Sequence, residues 1–211
     1  MGKKSVAAVV ITGDVVSSTG LSISRKKKLR TLIENLCDNV QKQFPDFQWQ
    51  QYRGDSLQGI LTKNKMWALS IALQLQCLLI SHEYHIRLAL GIGDISFQGK
   101  DIITSDGTAF RQSGPMVDQL KQNGRLIGIS AEAMLFNEEW QVHNESLNFL
   151  LQRLSEAQAQ ALYLYLQNIK QEDIAVRLKI SQPSVHQRLQ AAGTPVFMSI
   201  LKRFEKTLVV I

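Results

Sequence analysis

Two aspartates, each beside a glycine, stand where apolar stretches of the chain end. Asp14 belongs to ITGDVVSST and Asp55 to YRGDSLQ. Either acid alone is an ordinary turn residue. Two carboxylates that meet in space repel each other unless a cation lies between them, and such oxygen ligands suit Mg²⁺ or Mn²⁺ carrying nucleotide phosphates. We therefore predict a metal site at Asp14 and Asp55 if the fold brings the two together.

The elements around these acids are predicted from hydrophobic periodicity. VAAVVITG is a continuous apolar run, typical of a strand buried on both faces. Apolar residues then recur at helical spacing over 25–44, and Pro45 ends that helix. Gly54-Asp55 lies between two strand-like stretches, which is a hairpin signal. A helix over 66–81 and the strand HIRLALGIGDIS follow.

Three further elements are predicted before residue 150. TAFRQSGPMVDQLKQ is partly helical, RLIGIS is a short strand, and EEWQVH is a last strand. Strand, helix, hairpin, helix and strand in this order define a βαββαβ arrangement, which is the ferredoxin-like or palm type of α+β fold. The end of the first strand and the tip of the central hairpin are neighbours in such a sheet, so the fold class predicts that Asp14 and Asp55 meet.

These motifs resemble the class III nucleotide cyclases. The shared features are an apolar strand that ends in Asp with Ser or Thr shortly after it, and a hairpin GD about forty residues later. The set ITGDVVSS, YRGDSLQ, IRLALGIG and DGTAFRQSG is more similar still to the SatD family of bacterial proteins, over roughly residues 6–130. The resemblance implies that the two acids hold Mg²⁺ or Mn²⁺ on a nucleoside triphosphate, and that the domain pairs as a homodimer.

Several residues near the acids are candidates for nucleotide binding. Ser17, Ser18 and Thr19 follow Asp14 and either contact phosphate or cap the next helix. Arg53 precedes the hairpin glycine and either faces a phosphate or forms a cross-strand ion pair. Arg111 lies where the cyclases have their last catalytic helix.

The chain departs from the cyclases at two places. A base-selecting Lys stands four residues before the hairpin Asp in that family, and Gln51 stands there in this chain. The segment with Arg111, Gln112 and Ser113 has no clear Asn-x-x-x-Arg. These departures favour a metal- and nucleotide-binding or degenerate cyclase-like domain over an active cyclase or nucleotidyl transferase.

The last third of the chain has the pattern of a helix-turn-helix. Ser155 precedes a helix as its cap, residues 171–178 form a short helix, and Ser181 with Pro183 starts the next one. Val185 and Leu189 form the inner stripe of that helix. QEDIAVRLKISQPSVHQRL resembles the promoter-binding helix-turn-helix of bacterial sigma factors over about forty residues.

The outward face of the second helix carries polar side chains suited to DNA. Amides pair with adenine edges, and Arg binds guanine or phosphate. The last 61 residues hold eight Lys and Arg against four Asp and Glu, which gives a positive charge suited to a polyanion. The predicted DNA-binding residues are Gln182, Ser184, His186, Gln187 and Arg188.

The sequence therefore predicts a palm domain over residues 1–148 and a helix-turn-helix domain over 152–211. No stretch is apolar enough to span a membrane, and Cys37 and Cys77 fall in helical patterns typical of reduced core thiols, so we expect a cytoplasmic protein. The favoured function is a bacterial regulator that binds DNA. The alternatives are an active cyclase or transferase, and a structural dimerisation domain joined to a protein-interaction module.

Overall fold

The computed structural model describes residues 6–52, 54–97, 99 and 101–210. Five strands form one sheet in the order β2-β3-β1-β4-β5. They are β1 (Val6–Val15), β2 (Gln48–Tyr52), β3 (Ser56–Leu61), β4 (Ile86–Ile95) and β5 (Ile127–Ala131). β1 lies antiparallel to both β3 and β4, β2 pairs with β3 as the predicted hairpin, and β5 runs parallel to β4. The α/β fold class is thus confirmed.

Eight α-helices accompany the sheet in the described part of the chain. They are α1 (Ile23–Gln43), α2 (Ala68–Ile80), α3 (Thr108–Gln122), α4 (Met134–Leu151), α5 (Glu156–Leu166), α6 (Gln171–Leu178), α7 (Gln182–Ala191) and α8 (Thr194–Val210). We call β1–β5 with α1–α4 the sheet unit, and α5–α8 the helix-turn-helix unit.

The predicted strand at EEWQVH is wrong, because these residues lie inside α4. Phe136, Trp140, Leu147 and Leu151 are the buried apolar positions of this helix, and they recur at intervals of three to four residues or their multiples. The six-residue stretch contains only one of them, so the helical period is visible only over the longer window.

The two faces of the sheet are covered differently. α1 and α2 pack on one face with the alternate residues Val9, Ile11 and Val15 of β1. α3 packs on the other face, where Gly91 and Gly93 lie beneath it. A Cβ at Gly91 would lie 2.1 Å from the carbonyl oxygen of Ala109, so these glycines allow the α3 backbone to rest on β4.

Helix α4 closes the outer edge of β5 with asparagine side chains. Asn148 accepts from Leu126 N at 2.6 Å and Ile127 N at 3.1 Å, and donates to Ile127 O at 2.7 Å. Asn144 bonds N and O of Ile129, and Asn137 bonds N and O of Ala131, in the same two-point manner. The three amides satisfy backbone groups that a further strand would otherwise bond.

The helix-turn-helix unit has the predicted caps. Ser155 accepts from Gln158 N and begins α5, and Ser181 accepts from Ser184 N and begins α7, with Pro183 in its first turn. Between α6 and α7, Lys179 adopts the left-handed backbone conformation with φ 54°. α6 spans the predicted residues 171–178.

One apolar core runs through both units, with α5 packed against α2. Arg203 of α8 also forms a two-point ion pair with Glu139 of α4, at 2.5 and 2.9 Å. Cys37 and Cys77 are buried in this core as predicted, and burial raises the pKa of the Cys37 thiol to about 12. The division into domains at residues 148–152 stays a prediction. Among the described helices, none combines the length and hydropathy needed to cross a bilayer.

Candidate functional site

The carboxylate of Asp14 lies in an ion pair on the sheet face that α3 covers. Asp14 is opposite Ser56 of β3 and opposite Arg87 of β4 in the strand registers. Arg87 Nη1 lies 3.3 Å from Asp14 Oδ2, and both side chains are largely buried, with 14% and 26% exposure for Arg87 and Asp14. The β4 guanidinium therefore neutralises part of the charge at this end of β1.

Asp55 reaches the same end of the sheet from the β2–β3 hairpin. Its carbonyl oxygen accepts from Val15 N at 3.0 Å, next to Asp14, and Gly54 before it has φ 81°. Its carboxylate accepts a short hydrogen bond from the Ser18 hydroxyl in the loop after β1. The fold thus places Asp14 and Asp55 at one corner of the sheet, which we call the aspartate corner.

The aspartate corner fits one kind of metal site and not another. Within the described residues, His, Cys, Asp and Glu form no cluster of three or more that is suited to hold an ion. A cage made of protein side chains alone is therefore not formed. Mg²⁺ that keeps water and phosphate oxygens needs only one or two carboxylates, which Asp14 and Asp55 supply.

Polar side chains continue from this corner along the face beneath α3. Thr12 donates to Ser113 of α3 at 2.8 Å, and Gln58 donates to Thr12 at 3.5 Å. Arg87 Nε is buried on this face and finds no hydrogen-bond partner among the described residues. Gln51 Oε1 is also unpartnered there, but Gln51 is opposite Leu57 and so lies on the other face of the sheet. The Arg87 Nε donor is therefore available to water or a polar ligand beneath α3.

The remaining predicted nucleotide-binding residues are dispersed. Ser17 has a left-handed backbone with φ 54°, and Thr19 is exposed beside it. Ser22 caps α1 by accepting from Arg25 N, so the alternative that residues 17–19 cap this helix is wrong. Arg111 pairs with Asp106, both contacts measuring 2.9 Å, at the start of α3. Arg53 lies outside the described residues.

The predicted DNA-binding face is on α7. Val185 and Leu189 are buried against α5 and α6, as predicted, so the opposite side of α7 points outward. Gln182, His186 and Gln187 are exposed, and Ser184 and Arg188 are half-buried. The Ser184 hydroxyl lies 2.8 Å from that of Ser181, so Ser184 also takes part in the cap.

The charges around α7 favour an anionic partner. Arg177 lies in the last turn of α6, Lys179 in the turn that follows and Arg188 in α7. Glu172 and Asp173 lie in the first turn of α6. Acids at that position interact favourably with the helix dipole. The turn and α7 therefore carry basic side chains without acidic ones beside them.

Arg87 and the asparagines of α4 were absent from the sequence predictions. Arg87 is the one charged residue within the apolar stretch IRLALGI, which indicates a side chain that needs a partner inside the fold. Asn137, Asn144 and Asn148 are separated by seven and four residues, the spacing of a single helix face. This spacing has meaning only in a helix, and part of α4 was predicted as a strand, so the signal was missed.

A family model supports the helix-turn-helix. Sigma-70, region 4, matches residues 144–192, which contain the end of α4 and all of α5, α6 and α7. This chain therefore contains a segment similar to the DNA-binding region 4 of sigma-70 factors. No curated protein sequence matches the chain.

Solved structures similar to the chain include nucleotide cyclases. A bacterial light-regulated adenylyl cyclase is 13% identical with TM-score 0.43, over 61% of this chain and 77% of that chain. The guanylyl cyclase Cya2 is 14% identical with TM-score 0.41, over 62% and 77%. The active GGEEF domain of a diguanylate cyclase from Vibrio cholerae is 16% identical with TM-score 0.43, over 61% and 84%. Identities this low define no shared chemistry.

Proposed function

We propose that this protein is a DNA-binding regulator of the SatD type, with α7 as its recognition helix. One observation carries the proposal: the segment similar to sigma-70 region 4 ends in a helix with a buried apolar stripe and an exposed polar face. In such modules the second helix enters the major groove and its N-terminal residues contact base edges. Gln182, placed at the start of α7, and Gln187 are suited to adenine.

Arg188 has one of two roles in this proposal. A guanidinium that reaches O6 and N7 of guanine specifies a base, whereas one that reaches a phosphate only positions the helix. Arg188 lies in the last turn of α7 and is half-buried, so its reach is limited to one side of the helix. His186 and Ser184 complete the proposed face.

A homodimer is part of the proposal. One helix-turn-helix makes few contacts, and symmetric dimers bind two half-sites about one helical turn apart. The sheet unit supplies the surface for pairing in this scheme, and the DNA site is a palindrome. We place the protein in the cytoplasm, where DNA is accessible.

We further propose that the aspartate corner binds a nucleoside triphosphate with Mg²⁺ or Mn²⁺. Asp14 and Asp55 provide the oxygen ligands, while Ser18, Arg87 and the flanking Ser17 and Thr19 provide donors for phosphate oxygens. The support for this is the position of both acids at one sheet corner and the unpaired Arg87 Nε beside them. Arg53 and Arg111 remain candidates for the same ligand.

Selection from a randomised duplex library tests the DNA-binding proposal. The full-length protein is immobilised, washed at low salt and assayed for enriched sequences over several rounds. We expect enrichment of a palindromic site, and loss of enrichment with a Gln182→Ala/Gln187→Ala variant. Retention of no duplex, by a protein that remains folded, would identify the helix-turn-helix as a protein-interaction module instead.

An assay for cyclic product separates the regulator from an active cyclase. Gln51, at the base-selecting position, donates to the carbonyl oxygen of Gly54 at 3.0 Å and so contacts its own hairpin. We expect no cyclic AMP or cyclic GMP from ATP or GTP with Mn²⁺. Product that disappears in Asp14→Ala would show that the sheet unit is an enzyme.

A further inference from the structure

A cavity of about 610 Å³ lies where the sheet unit meets the helix-turn-helix unit. Trp67 and Ser70 at the start of α2 form one wall, and Tyr165 at the end of α5 forms another with Ile169, which follows that helix. The third wall belongs to α8. The volume of the cavity falls in the range of small-molecule sites, about 300–1,000 Å³.

The cavity is apolar inside and charged at one side. Leu166 and Leu201 are buried in its floor, and Met198 is 40% exposed above them. An aromatic ring or short hydrocarbon chain in this space would gain contact with Trp67 and Tyr165 while it leaves water.

Two lysines at the cavity have no acidic partner. Lys170 precedes α6 and Lys202 lies in α8, and neither forms an ion pair with any described residue. Glu205 is the single acid in the lining, against these two cations. Charge complementarity therefore favours an anionic group beside an apolar body.

We propose that this cavity, here called the junction cavity, binds a small amphipathic organic anion, an aromatic or short acyl body with one carboxylate, sulfonate or phosphate. The apolar body lies between Trp67, Tyr165 and Met198, and the anionic group lies between Lys170 and Lys202. Such a ligand contacts the start of α2 in the sheet unit together with α5 and α8 of the helix-turn-helix unit. It therefore stabilises the observed arrangement of the two units.

Fluorescence of anilinonaphthalene sulfonate tests the junction cavity, because this probe joins two aromatic ring systems to one anionic group. The full-length native protein is titrated with the probe in the absence of DNA and nucleotide. We expect saturable binding with one site per chain. Phenylnaphthylamine keeps the rings but lacks the sulfonate, and we expect it to bind about fivefold more weakly, as for one lost ion pair.

Three variants locate the probe. Met198→Trp fills the cavity and should weaken binding at least about tenfold, and Lys202→Gln should weaken the sulfonate probe about fivefold but leave phenylnaphthylamine unchanged. Lys121→Gln is the matched control, because Lys121 is exposed on α3, which lies on the other face of the sheet. It should leave the binding of both probes unchanged. All three replace surface-accessible side chains, and melting curves confirm that each variant is folded.

The proposal is overturned if the wild type shows no saturable binding, or if Met198→Trp and Lys202→Gln bind the probe as the wild type does. The second result would mean adventitious binding elsewhere. Neither measurement includes DNA or nucleotide, so failure here leaves the proposed regulatory function untouched.

Discussion

Arg87 and Asp14 face each other across β4 and β1, and their side chains form an ion pair of 3.3 Å. The aspartate corner thus contains one cation, Arg87, and two carboxylates, of which that of Asp55 accepts a hydrogen bond from the Ser18 hydroxyl. The corner has a smaller negative charge than two free acids would give it. A nucleotide whose phosphates bring their own Mg²⁺ suits such a site better than a bare divalent ion.

The first prediction concerns ligand binding at the aspartate corner. Mn²⁺ together with a nucleoside triphosphate should raise the melting temperature, because a ligand that binds only the folded state adds about 2.7 kcal/mol at a hundredfold excess over Kd. Asp14→Ala should abolish the shift, measured against the variant's own melting temperature without ligand. Asp118→Ala, an exposed acid on α3, is the control and should keep it. An equal shift in Asp14→Ala would place the nucleotide elsewhere.

The second prediction concerns the asparagine that closes the sheet edge. Asn148 is 2% exposed and bonds the N–H groups of Leu126 and Ile127 and the carbonyl of Ile127. Asn148→Ala leaves these groups unpaired, each at a cost of about 1–3 kcal/mol, so unfolding in urea should show a loss of roughly 3 kcal/mol or more.

Gln152→Ala is the matched control for Asn148. Gln152 lies one turn further along and donates to the carbonyl of Gly124 in an exposed hydrogen bond at 3.0 Å. Its removal should cost less than about 1 kcal/mol. Comparable losses in the two variants would mean that the edge bonds of β5 contribute nothing special to stability.

The third prediction concerns acid sensitivity through Asp46. Burial opposes ionisation of this carboxyl, but hydrogen bonds from the backbone N–H groups of Asn64, Lys63 and Thr62 and from the Asn64 amide outweigh it and lower the pKa to about 2. The folded-state pKa thus lies below the unfolded one. The ionised carboxylate therefore adds stability above the unfolded pKa, and this is lost as the pH falls towards about 2.

Asp46→Asn measures this contribution. The variant should be less stable than the wild type by about 1 kcal/mol at pH 7, which is less than the full pKa shift would give, because solvent screens this partly exposed carboxylate. The difference should stay constant down to about pH 5 and shrink as the pH falls below about 4. A difference that does not change with pH would mean that the charge of Asp46 is not what stabilises the turn after β3.

Helix caps, buried helix stripes and turns were predicted correctly where the residues that form them are close in sequence. Ser181 and Pro183 at the start of α7, and the spacing of Val185 and Leu189, are all contained in a few residues, and the structure has them as predicted. The hairpin around Gly54 was predicted for the same reason. The closeness of the β1 end to the hairpin tip was predicted from the βαββαβ order of the elements, and β1 does pair with β3 there.

Three side-chain pairings between distant residues were not predicted from the sequence. Arg87 reaches Asp14 over 73 positions, and Ser18 reaches Asp55 over 37. Asn148 bonds a strand edge that exists only after β5 has paired with β4. In each case the partner is set by the register of the sheet, which local propensity does not encode.

The most direct test of the central proposal is the salt dependence of DNA binding by the full-length chain, measured by fluorescence anisotropy on the selected duplex. The wild type should lose affinity steeply as salt rises.

Arg188→Ala should either reduce the salt slope by about one, as for a lost phosphate contact, or relax discrimination at one base position by roughly 1–3 kcal/mol. Arg30→Ala removes the same charge from an exposed position of α1, and it should change neither the salt slope nor the base discrimination. A full-length protein that binds no duplex at low salt, or an Arg188→Ala variant that binds as the wild type does, would contradict the assignment of α7 as a recognition helix.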